Sequence, residues 1–85
     1  MLFVYDAPTR PLFHMRGMAF DLDLVWIRAG RVVGITPDAR AAANGDAPGY
    51  LAPEPVDSVL EVPAGTARAH EWAVGTKVEA IAEGA

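Results

Sequence analysis

Residues 22–28, Leu-Asp-Leu-Val-Trp-Ile-Arg, set the tightest condition on this chain. Leu24, Val25, Trp26 and Ile27 follow one another without a polar break, so a strand here carries apolar side chains on both faces. Such a strand is stable only where both faces are covered, by protein layers or by a layer and a loop. Ala29-Gly30 reads as a tight two-residue turn, and Arg31–Ile35 (RVVGI) as the returning antiparallel strand. A hairpin over residues 22–35 is therefore predicted.

The flanking sequence supplies shorter elements. Leu2–Tyr5 is an apolar run stopped by Asp6-Ala7-Pro8, and reads as a strand. Pro8 and Pro11 bracket a turn before a second strand over Leu12–Met15, and Gly17 gives a permissive backbone for a bend over Met18–Asp21. Residues 36–57 contain prolines 37, 48, 53 and 55 and read as one long irregular loop, with a helical turn over Ala39–Ala43 ended by Asn44-Gly45. Ser58–Val62 is a further strand, broken by Pro63-Ala64-Gly65. Thr66 is placed to cap a helix of at most two turns over residues 66–72, and a last strand is expected over Lys77–Ile81, with a frayed tail at 82–85. The expected architecture is mainly β, a β-rich α+β domain spanning 1–85: a small barrel-like or two-sheet antiparallel fold with one short helix.

Composition narrows the function classes. A chain of 85 residues buries roughly 63% of its unfolded surface, enough for one small core. The net charge is −4 and is concentrated late: residues 1–45 sum to +1 and residues 46–85 to −5. An acidic chain without a basic cluster is a poor partner for nucleic acid or for an anionic membrane surface. No apolar run is long enough to span a membrane, and MLFVYDAPTR lacks the basic and apolar regions of a signal peptide, so a soluble domain of unstated compartment is expected. There is no cysteine, which excludes disulfides, thiolate metal sites and a catalytic thiol. No metal-ligand spacing, nucleotide-binding glycine motif or nucleophile elbow is present, and no cofactor is expected.

Five blocks occur in order: MLFVYD, FHMRG…DLDLVWI, GRVVGI, LEVPAGTA and VGTKVE. Together they resemble the prokaryotic family named domain of unknown function 192, from Leu2 to about Ile81. The resemblance implies a compact, mostly β fold with a small helix near the end, often found behind an export signal. It implies no activity, because none is established for the family. The chain departs from the family in several places. The central block, usually Phe-Trp-Met-Lys-Asn-Thr, is here Phe13-His14-Met15-Arg16-Gly17-Met18, and the usual Pro-Leu-Asp is Asp21-Leu22-Asp23. The cysteine pair common in the family's loop is missing from Asp38–Gly49, while Tyr50 matches the family's loop tyrosine. The family usually extends further upstream, so Leu2–Tyr5 is expected to present an unpaired edge through which a second copy could pair.

Alternation on the second strand puts Phe13 and Met15 on the core side and His14 and Arg16 on the other. Arg16 is the expected structural partner of Asp23, and Asp21 shares a strand face with Asp23. If the long loop folds back, Tyr50 joins His14, Arg16 and Asp23 in a groove suited to a small polar or anionic ligand. The leading expectation is thus a non-catalytic binding or interaction module with these four candidate ligand-binding residues. Two alternatives stand beside it: an acid–base enzyme using Asp23 and His14, and a structural subunit that assembles through edge strand 2–5.

Overall fold

The computed structural model describes residues 1–15, 20–41 and 49–79. Six strands and one helical turn follow in order: β1 (Leu2–Thr9), β2 (Leu12–His14), β3 (Leu22–Arg28), β4 (Arg31–Ala39), β5 (Gly49–Leu51), β6 (Val56–Pro63) and α1 (Thr66–Ala69). The strands form two antiparallel sheets, a four-stranded one in the order β1-β6-β3-β4 and a two-stranded one of β2 and β5. Among the described residues the fold is the two-sheet arrangement and not a closed barrel.

Strand β3 lies inside the larger sheet, and every residue from Leu22 to Ile27 is buried. Leu22, Leu24 and Trp26 face one way, into a cluster with Met15, Ala39, Ala52, Val56 and Val59 that is closed by Phe13 and Tyr50 of the smaller sheet. Val25 and Ile27 face the other way, into a cluster with Val32 closed by Trp72 and Val78. The unbroken apolar run is thus accounted for by cover on both sides. Aromatic edges tie the layers together: Phe3 meets Phe13 at 5.1 Å and Phe13 meets Trp26 at 5.7 Å, both near perpendicular. The Trp26 indole N–H donates to Thr36 Oγ1 (2.9 Å).

The β3–β4 turn has two central residues, Ala29 and Gly30, with φ of 51° and 76°. Positive φ at both positions belongs to the primed turn whose twist matches that of paired strands.

Several boundaries differ from the sequence-based expectation. Strand β1 does not stop at Asp6 but runs to Thr9, because the register slips between Val4 and Thr9 and a bulge absorbs Asp6-Ala7-Pro8. Residues 36–57 are not one loop. Thr36–Ala39 continues β4, Gly49–Leu51 forms β5, and Val56 and Asp57 open β6. Pro37 is tolerated because β4 is an edge strand, where a missing N–H breaks no ladder. Ala39 ends a strand and does not open a helical turn. Lys77 makes a single bridge to Arg31 instead of starting a strand, and Val78 and Glu79 already turn helically. The expectations at Arg16–Ala19, for the loop at 42–48 and for the tail at 82–85 lie outside the described residues.

Candidate functional site

The site grows from Asp23. It lies on β3 between Leu22 and Leu24, on the Val25 face, and is only 1% exposed. A buried carboxylate is costly unless its oxygens are hydrogen-bonded. Here the Asp38 N–H donates to Oδ1 (3.0 Å), and the Gly65 and Ala67 N–H groups donate to Oδ2 (3.1 and 3.0 Å). All three donors are backbone groups from elements distant in sequence.

Each donor is a group the local fold would otherwise leave unpaired. Between Leu24↔Thr36 and Leu22↔Ala39 strand β4 carries one residue more than β3, a bulge that turns the Asp38 N–H inward with Asp38 at φ 53°. Gly65 and Ala67 open α1, where N–H groups have no helical acceptor. Thr66 was expected to cap that turn, but its hydroxyl donates to the Pro63 carbonyl (2.6 Å) and no side chain of the helix caps it. The cap is Asp23, supplied from the neighbouring strand. One carboxylate therefore fastens the β4 bulge to the helical turn.

Between those two fastened walls lies a cleft of about 540 Å³. Ile35, Pro37 and Asp38 form the strand wall, Arg68 and Trp72 the helix wall, and Asp23 the floor. His70 stacks on Trp72 (5.1 Å, 20°) and steadies the indole. The walls carry opposite charges, Asp38 on one and Arg68 on the other, and both side chains are exposed. The volume is within the range of small-molecule sites, and an apolar lining with a few convergent polar groups is their usual make-up.

Of the four residues singled out from sequence, the three described ones, His14, Asp23 and Tyr50, do not gather in one groove. Asp23 is the floor of this cleft. Tyr50 pairs with Phe13 across β2 and β5, packs on the opposite, Trp26 side of the large sheet, and accepts from the Arg40 N–H through its hydroxyl (3.3 Å). His14 is exposed on β2 in the smaller sheet. Arg16, the expected partner of Asp23, lies outside the described residues. Asp21 does not act with Asp23, since its Oδ1 accepts from the Ala41 N–H (2.7 Å). The acid–base pairing of Asp23 with His14 requires their side chains to converge, whereas the large sheet stands between them. Among the described residues no three His, Cys, Asp or Glu side chains are grouped to hold a metal ion, and no helix is long and apolar enough to cross a membrane.

Comparison with known proteins bears on the family and the fold. The family model DUF192, described as an uncharacterized ACR, matches residues 1–80. The chain belongs to the DUF192 family. A crystal structure of a protein of unknown function from Novosphingobium aromaticivorans shares the fold, with a TM-score of 0.77 and 28% identity over 91% of this chain. The DUF192 chain described here covers 54% of that protein, about half its length. No match is found among curated proteins.

Arg68 and Trp72 of this DUF192 chain were not singled out from sequence as site residues. A lone arginine in a four-residue helix and a tryptophan after it carry no motif, and only the fold brings them opposite Asp38. The usable signal was Pro-Ala-Gly-Thr at 63–66, a helix start whose one hydroxyl, on Thr66, is spent on the Pro63 carbonyl and leaves the Gly65 and Ala67 N–H groups to an outside acceptor.

Proposed function

We propose that this domain is a non-catalytic binding module whose ligand is a small zwitterion with an apolar body, of the α-amino-acid class, held in the cleft between β4 and α1. The observation that carries the reading is the Asp23 clamp, which ties together two walls that carry opposite charges and apolar surface. Arg68 would take the carboxylate, in the paired geometry that guanidinium favours. Asp38 would take the ammonium, and the apolar body would lie against Ile35, Pro37 and Trp72. Fixed walls favour affinity because little side-chain and loop freedom is lost on binding.

Titration with L-phenylalanine, benzoate and phenethylamine, followed by amide and indole resonances, tests this. Phenylalanine is expected to bind more tightly than either single-charge analogue and to move the signals of Ile35, Asp38, Arg68 and Trp72. Arg68→Ala is expected to weaken it by about tenfold or more. Equal binding of all three probes, or unchanged affinity in Arg68→Ala, would contradict the proposal.

A further inference from the structure

A second groove runs along the other side of the large sheet, where the open end of β1 faces β2. Its volume is about 520 Å³, and its lining includes Met1, Phe3, Tyr5, Phe13, His14 and Glu61. The Phe3 and Phe13 rings stand edge to face at 5.1 Å. Glu61 lies on β6 two residues from Val59, on the face of the large sheet that carries Phe3, and is half-buried. Among the described residues no side chain donates a hydrogen bond to its carboxylate. The amino group of Met1, whose charge is felt by the Glu61 carboxyl, is bonded to the Glu61 backbone carbonyl instead (2.6 Å).

We infer that this groove is a separate site for an alkylammonium ligand, with Glu61 as the counter-ion and the rings of Phe3, Tyr5 and Phe13 as the aromatic wall. A carboxylate beside aromatic faces is the combination that recognises ammonium groups, because ring quadrupole and carboxylate attract the same cation while the alkyl groups meet apolar surface. Charge complementarity favours a cation over a neutral or anionic occupant. Burial pushes the Glu61 carboxyl above the usual carboxylate range, the nearby amino group of Met1 pulling the other way. Burial, and then the Glu61 charge, push the Tyr5 hydroxyl up as well. Those directions mark a carboxylate short of solvation, which a bound cation would relieve. The site is independent of the zwitterion cleft, since the sheet separates the two and they share no residue.

Choline and its neutral isostere, with carbon in place of the ammonium nitrogen, are the probes. In a titration of the whole chain choline is expected to move the ring signals of Phe3, Tyr5 and Phe13 saturably, and to bind roughly fivefold or more tightly than the isostere. Glu61→Gln is expected to abolish that preference while leaving phenylalanine binding unchanged. Equal affinity for the two probes, no saturable binding of choline, or a preference that survives in folded Glu61→Gln would overturn the inference. If Glu61→Gln does not fold, the ratio of the two affinities in the unaltered chain decides by itself.

Discussion

Asp23 is a buried carboxylate that accepts three backbone hydrogen bonds. The sequence marks it as unusual, an acid inside an apolar strand, and suggests a ligand or Arg16 as its partner. What the sequence does not carry is where three unpaired backbone N–H groups arise, because one comes from a strand bulge 15 residues away and two from a helix start 42 and 44 residues away. Asp23→Asn keeps the shape but replaces one acceptor oxygen with a donor, leaving at least one buried N–H unpaired. Its expected cost is about 2–4 kcal/mol in chemical denaturation. Asp21→Asn, at an exposed carboxylate with a single backbone donor, is expected to cost under about 1 kcal/mol. Equal effects of the two would show that the clamp is not special.

At the scale of elements, the hairpin of β3 and β4 was legible because periodicity and a two-residue turn are local signals, and its first strand has the expected bounds. The pairing of β2 with β5 was not. Three-residue strands have no periodicity to read, and the prolines around β5 pointed to a loop. The segment Ala52–Pro55 instead lies against β4, near enough that a Cβ at Gly34 would come within 2.9 Å of the Pro53 ring. Gly34→Ala is therefore expected to destabilise by about 1–3 kcal/mol, as a ring held by its own backbone cannot move aside. Gly49→Ala, whose Cβ meets the movable tip of exposed Leu12, is expected to change stability by under about 0.5 kcal/mol. A thermal or chemical denaturation series on the two variants distinguishes these cases.

At the scale of the whole molecule, one sheet carries two different faces. On the Trp26 side the smaller sheet packs over it and leaves a groove beside β1. On the Val25 side the turn α1 and Trp72 pack over it and leave the zwitterion cleft. The layout explains why His14, Asp23 and Tyr50 lie apart: alternation along β2 and β3 was read correctly, but which layer would cover each face is a property of long-range pairing. The clamp predicts that the two walls of the cleft open as one unit, although one belongs to β4 and the other to α1. Native-state hydrogen exchange measures this directly at the amides of Asp38, Gly65 and Ala67. Slow exchange is expected at all three, with protection reduced together in Asp23→Asn while Val25 and Val59 stay protected; fast exchange at the three in the unaltered chain, or protection that survives in Asp23→Asn, would contradict the clamp.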